Sequence, residues 1–448
     1  MNKTVKMENG TVYEILDELG AGGQGKVFKA KNLTDSKVYA LKVYTVDYPS
    51  VFYENIRRNI LKGAPAKNFV WPKMLTEPLG KNKDRYGYVM DLYGREYSSF
   101  PKIILGKAQF ASKEVQINAL IELVSAFEAL HAEGYSYQDL NDGGIVINTQ
   151  TGDVLVCDND NVAPYGYNLG IQGKFKYMAP EVAINAFKPD KHSDRFSLAV
   201  LLFYILCKGH PYDGVQRLSG QLTPALQEKI YGTEPVFIFH STDKSNRPDP
   251  EVDKNPIKIW PLLPSFIQKC FIETFTKGMP KVGREFKEIE LERQERTSEV
   301  EWKKALYLWL ESMVTCPHCD CSITPEVDVN NRISMSRCPH CNKKLDLKLP
   351  VMEIIKNNKV VRKIILEEDK FVSTRSVTSI DSKDPAFVVE RSKKVKNLLG
   401  IRNMLNFGWK CSQPGSEDRV KQPGEVVPLL DQVMIEFDYD YSGKVYIK

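Results

Sequence analysis

Apolar and polar positions alternate with a period of two, rich in β-branched residues, over 12–19, 26–30 and 37–44. This alternation predicts an antiparallel sheet at the start of the chain. Longer apolar patterns at helical spacing follow at 113–133 and 194–207, and the charged run 285–312, amphipathic from Trp302 through Leu306 and Trp309, predicts a closing helix. A small strand-rich lobe followed by a larger helical one is an α+β layout. After the cysteine pairs of 311–345, short strands are predicted at 351–355, 359–366, 387–389, 432–437 and 444–447, broken by Pro, Gly, Asn and Ser. They suggest a small β-sandwich at 346–448, and the chain shows no internal repeat.

Composition narrows the class. The 448 residues are too many for one core, and 42% apolar with 27% charged residues is globular composition, neither disordered nor coiled coil. The net charge of +5 does not announce a nucleic-acid binder. It is concentrated in residues 343–363, where seven Lys/Arg face two Asp/Glu. Nine cysteines, five of them within 316–341, are too sparse for a disulfide scaffold and argue for a metal site. The opening MNKTVKMENG lacks a signal-peptide core, and the longest apolar run, 198–207, is half of the ~20 residues a membrane span needs. A soluble cytoplasmic protein with no membrane association is expected.

The loop Gly20-Ala21-Gly22-Gly23-Gln24-Gly25-Lys26-Val27 fits G-x-G-x-x-G-x-V and lies between two strand patterns. That setting disfavours a dinucleotide fold and favours a glycine-rich hairpin whose backbone amides cover nucleotide phosphates. Seventeen residues after Gly25, Ala40-Leu41-Lys42 ends a strand and offers an ammonium for α and β phosphates. Together these residues resemble the N-lobe of the protein kinase family, and the resemblance runs through roughly 300 positions, 11–310, implying a bilobal kinase-like fold with lobes at about 11–90 and 94–310. It implies that Gly20, Gly22, Gly25, Val27, Ala40 and Lys42 contact ATP and that Glu54 supplies a helix carboxylate for Lys42. In Tyr88-Val89-Met90-Asp91-Leu92-Tyr93, Met90 becomes the gatekeeper, and the Asp91 and Tyr93 backbone faces adenine. Asp139, in Tyr137-Gln138-Asp139-Leu140-Asn141-Asp142-Gly143-Gly144, is the expected acceptor of the substrate hydroxyl's proton. Asp158, in Cys157-Asp158-Asn159-Asp160, is expected to hold magnesium. Tyr177-Met178-Ala179-Pro180-Glu181, Asp194, His210-Pro211-Tyr212, Arg296-Thr297 and Glu301-Trp302 follow in family order.

Three standard groups are replaced: the His-Arg pair by Tyr137-Gln138, the catalytic-loop lysine by Asn141 and the metal-binding asparagine by Gly144. A carboxylate suits magnesium, so Asp160 is grouped with Asp158 as the magnesium set, with Asn161 and Asp142 left open. Lys174, placed by counting back from Ala179-Pro180-Glu181, is the candidate to restore the charge lost at Asn141. A second reading is a nucleotide-binding pseudokinase scaffold that works through its C-terminal domains. The Y-Q-D-L-N-D-G-G and C-D-N-D-N forms resemble a bacterial serine/threonine-kinase subgroup associated with tellurium-resistance and von Willebrand-type partner genes. That resemblance implies a metal-dependent phosphatase as a neighbour and a protein as substrate.

Cys316-Pro317-His318-Cys319 and Cys338-Pro339-His340-Cys341 repeat C-x-x-C after eighteen residues. Two such turns are what a tetrahedral four-cysteine zinc site requires, and a closed four-thiolate site is structural. A zinc ribbon is therefore expected at 311–345. Ribbons bind protein or nucleic acid; the basic window after this one is read first as a solvated face. In the last hundred residues Leu399-Gly400-Ile401-Arg402-Asn403, Trp409, Pro423-Gly424 and 433–437 resemble forkhead-associated domains, with phosphothreonine peptides as implied ligands, although the arginine and serine pair to hold the phosphate is not evident.

Overall fold

Strand formation starts where alternation is strictest. In the computed structural model, which describes residues 4–80, 85–167, 169, 173–279, 286–380, 382–413 and 415–447, the first sheet contains β1 (Thr4–Lys6), β2 (Val12–Ala21), β3 (Gly25–Asn32), β4 (Val38–Tyr44), β5 (Met74–Leu75) and β6 (Gly87–Asp91). Their order is β1-β2-β3-β4-β6-β5. The period of two sorts β4 cleanly. Ala40 and Tyr44 join one buried cluster with Tyr88 and Met90, while Leu41 joins the opposite one with Val5, Met7 and Val89. Lys42, between Leu41 and Val43, therefore shares the face of Ala40 and Tyr44. Helix α1 (Ser50–Lys62) buries Phe52, Tyr53, Asn55, Ile56 and Asn59.

A helical lobe follows. Its helix Lys113–Ala132 is buried along most of its length, as is Lys191–Cys207, which starts at a capping box built on Asp190 and Ser193. Glu181 is fully buried and accepts from Arg296 at 2.7 Å and Arg293 at 2.9 Å. The expected single helix at 285–312 is two, Phe286–Gln294 and Glu299–Ser312. The break has a local cause: Ser298 and Glu301 exchange side-chain and backbone hydrogen bonds, a second capping box that restarts the helix.

The chain divides into two compact units, 1–306 and 307–448. In the second, a six-stranded and a four-stranded antiparallel sheet share one core that includes Met352, Phe387, Ile401, Trp409 and Phe437. The β-sandwich holds strands the hydrophobic pattern did not predict, Phe371–Ser373, Leu399–Asn403, Trp409–Ser412, Arg419–Lys421 and Val426–Pro428. The cysteine-bearing segment carries two small hairpins over a thin apolar layer in which Cys316 and Cys338 are themselves buried members.

Candidate active site and cysteine cluster

Two short ladders assemble the cleft. Tyr135–Ser136 pairs with Ala163–Pro164, and Ile145–Ile147 pairs with Val154–Val156. The loop 137–144 and the segment 157–162 are thus fixed side by side at both ends. Gln138 and Asp158 both adopt positive φ, 67° and 53°, conformations that cost free energy in a non-glycine residue and cluster at functional sites.

Asp139 is oriented from within its own loop. Its Oδ1 accepts from Asn141 Nδ2 at 2.8 Å and from the Lys174 amide at 3.3 Å, while Gly143 N–H donates to Asn141 Oδ1. Burial raises the Asp139 carboxyl; the Asn141 and Lys174 hydrogen bonds oppose it, and Asp158 adds to it. Asn141 therefore steadies the acceptor. Lys174 Nζ lies 2.5 Å from Asp142 of this same loop.

Lys42 is the buried cation of the cleft, its side chain 6% exposed. Its Nζ lies 2.8 Å from Asp160 and 3.4 Å from Asp158, with Gln24 of the glycine loop also at 3.4 Å. Burial pushes the ammonium down, but Asp160 and then Asp158 outweigh it and hold the lysine above its ordinary value. Asp158 keeps its side chain 44% exposed, open to the cleft.

Two expectations are corrected. Glu54 is exposed, so it does not supply the lysine's partner; α1 turns Asn55 and Asn59 inward instead, and both donate to Val162 O at 2.8 Å. Asp160 is not open to a cation, because it is fully buried and its oxygens are taken by Lys42, Tyr44 and Tyr88. The substitution at Gly144 has a steric reason: a Cβ there would lie 2.8 Å from the Tyr137 hydroxyl, which donates to Cys157 O. Tyr137 fills the space a longer residue 144 would need.

The remaining nucleotide candidates lie on the strands of the same sheet or next to them. Ala40 and Met90 stand opposite each other across β4 and β6, both buried. Asp91 and Tyr93 follow on the exposed strand end. Gly20 pairs with Val27 across the β2–β3 hairpin, Gly22 lies at its exposed tip, and a Cβ on Gly25 would meet Val43 O at 2.4 Å. Only glycine permits that approach. The residues missed by sequence reasoning are Tyr44 and Tyr88, and a signal existed: two polar-tipped aromatics flanking a lysine on one buried face imply a shared acceptor.

Gln138, in the position of the usual arginine, donates to Tyr167 O at 2.7 Å and accepts from the Leu169 amide at 3.3 Å. An uncharged amide thus holds the segment after Asp158. Behind the loop, Asp194 accepts from the Tyr137 amide at 2.6 Å and faces His131 at 3.1 Å.

The four cysteines converge. The Sγ atoms of Cys316, Cys319, Cys338 and Cys341 lie within 4.8 Å of one another, with Cys316–Cys341 at 3.9 Å and Cys319–Cys338 at 3.8 Å. Thiolates bound tetrahedrally at ~2.3 Å stand roughly 3.8 Å apart, so the cluster fits a metal ion. Each C-x-x-C turn closes in the same way: Asp320 N–H donates to Cys316 O, Asn342 N–H to Cys338 O, and Asp320 and Asn342 share a φ near 57°. His318 turns away to Lys344 O, and Cys321 is exposed.

Comparison with known proteins gives one family: the protein kinase domain model matches residues 13–271. The serine/threonine-protein kinase PrkC of Bacillus subtilis is 26% identical over 212 residues, 46% of this chain and 32% of the relative. Protein kinase YegI of Escherichia coli is 24% identical over 304 residues, 63% of this chain and 44% of the relative. The chain thus spans less than half the length of these two relatives. Among solved structures, the autoinhibited serine kinase domain of titin is similar at 15% identity and a TM-score of 0.47, over 65% of this chain and 78% of that one.

Proposed function

The chain belongs to the protein kinase domain family, and from that premise we propose that it is an ATP- and magnesium-dependent protein kinase that phosphorylates serine or threonine in a protein substrate. The observation that carries the proposal is the convergence of Lys42, Asp158 and an Asn141-oriented Asp139 in one cleft. Asp139 would accept the substrate hydroxyl's proton as that oxygen attacks the γ-phosphorus and the bond from that phosphorus to the β,γ-bridging oxygen breaks, releasing ADP. Lys42 would hold the α and β phosphates under the glycine hairpin. Asp158, the open carboxylate, would hold magnesium, which when bound neutralises phosphate charge; magnesium keeps several waters and needs few protein ligands. Lys174 would supply the cation lost at Asn141, since its amide bonds Asp139 and its ammonium sits on Asp142 of the same loop.

The four-thiolate cluster is read as structural zinc, and the ribbon at 311–345 with the sandwich at 346–448 as modules that recruit a substrate or partner. The subgroup resemblance extends this to a von Willebrand-type protein and a metal-dependent phosphatase in the cytoplasm. Activity should not need an activating phosphate, because 159–178 holds no serine or threonine and Gln138 ties that segment through its amide. The test is transfer of label from γ-labelled ATP by phosphatase-treated protein to itself or a general protein substrate. Phosphoserine or phosphothreonine is expected; nucleotide binding without transfer would favour the pseudokinase scaffold.

A further inference from the structure

We propose that Asp160, two residues beyond the metal-binding candidate, is the positioning residue for Lys42, and that α1 contributes no carboxylate to the nucleotide site. The inference rests on the kinase reading above. Three donors converge on Asp160: the Lys42 ammonium at 2.8 Å, the Tyr88 hydroxyl at 3.2 Å and the Tyr44 hydroxyl. The β-ladder explains the convergence. Tyr44 is two residues on from Lys42, and Tyr88 is its partner across β4 and β6, so the three side chains share one face. Asp160 itself is fully buried, and a buried carboxylate is tolerated only when paired and hydrogen-bonded.

The alternative anchor is geometrically disfavoured. Glu54 is the sole acidic residue of α1 and lies on a stripe with Arg58 and Leu61, all three exposed. Turning that stripe toward Lys42 would withdraw Asn55 and Asn59 from Val162 O and expose Phe52 and Ile56. The helix is therefore fastened to 158–162 by neutral amides, while the charge that holds Lys42 comes from the segment itself. The lysine's anchor and the open carboxylate Asp158 share one short stretch of chain, so ordering 158–162 sets both at once, without a helix movement to complete the ion pair.

The experiment is a double-mutant cycle on the full chain, reading kcat and KM for ATP and Mg-ATP affinity in Asp160→Asn, Lys42→Met and the double variant. Asp160→Asn should lower kcat/KM roughly ten- to hundredfold, the scale of one charge-assisted hydrogen bond. In the Lys42→Met background it should cost nothing further in affinity, whereas a purely structural role would give additive losses and overturn the proposal. Glu54→Gln should match the parent; because Glu54 is exposed, this arm reads even where Asp160→Asn does not fold, and a loss there comparable to Lys42→Met overturns the assignment. If the parent transfers no phosphate, the kinase reading fails by itself, and the cycle on Mg-ATP affinity still decides the anchor.

Discussion

In the first unit, charged groups are held by partners brought from distant parts of the chain: in the cleft Asp160 meets Lys42 across 118 residues, and in the helical lobe Glu181 meets Arg296 across 115. In the cysteine cluster, the ionisable groups sit in two short turns over a thin apolar layer, and the thiols are part of what that layer buries. The first arrangement is held by a large core that fixes opposite charges at contact distance. The second brings like groups together, four cysteine sulfurs spaced as a metal ion would hold them as thiolates, so on the zinc reading its stability would come from the metal. The difference teaches where each region is vulnerable: the cleft to loss of one partner and, on the zinc reading, the cluster to loss of one ion.

The largest effect should come from chelation. Removing metal should unfold residues 311–345, since site formation supplies folding free energy of order 10 kcal/mol in small zinc domains, and the kinase unit should survive. Limited proteolysis reads both; unchanged resistance of that segment after chelation would contradict the assignment. Next in size is the buried pair. Arg296→Met leaves Glu181 with one cation in place of two, and should destabilise the first unit by about 3–5 kcal/mol in denaturant titration, the range for breaking a buried ion pair. A cost under about 1 kcal/mol would show that the core, and not the pairing, fixes the charge.

A third effect depends on pH. His131 is buried between Asp194 and Glu299; burial lowers it, but the two carboxylates raise it to about 9. Its folded value thus exceeds the ordinary ~6.5 of an unfolded histidine. The stabilisation is complete below ~6.5 and disappears as pH rises toward 9. The unfolding midpoint should fall across that interval, and His131→Asn should flatten the fall; a midpoint that holds through pH 9 would remove the charged pairing. The smallest effect should be kinetic. Lys174→Met should lower kcat roughly a hundredfold, the loss of one transition-state donor, with Mg-ATP affinity kept. An unchanged kcat would return Lys174 to the surface as the partner of Asp142 alone.

What could be read in advance followed the same division. The cysteine turns are local and repeated, so spacing alone implied their convergence. Alternation in β2, β3 and β4 placed Lys42 on a strand, and the catalytic-loop pattern placed Asp139. Long-range replacements were not readable. Asp160 looked like a metal ligand because a carboxylate near Asp158 is chemically adequate, and Glu54 like an anchor because α1 carries no other acid; only tertiary pairing puts Asp160, and not Glu54, against Lys42. The Ser298-to-Glu301 capping box was readable but hidden within a charged run, and the short middle strands of the sandwich lacked the length that makes a period visible.

The claim that this cleft performs phosphotransfer despite its replaced groups is tested most directly by separating rate from affinity at Asp139. Single-turnover transfer from γ-labelled ATP should fall at least about a hundredfold in Asp139→Asn, the scale of a lost general base, while the Mg-ATP dissociation constant stays within a few-fold of the parent. Transfer at the parent's rate in Asp139→Asn would contradict the account.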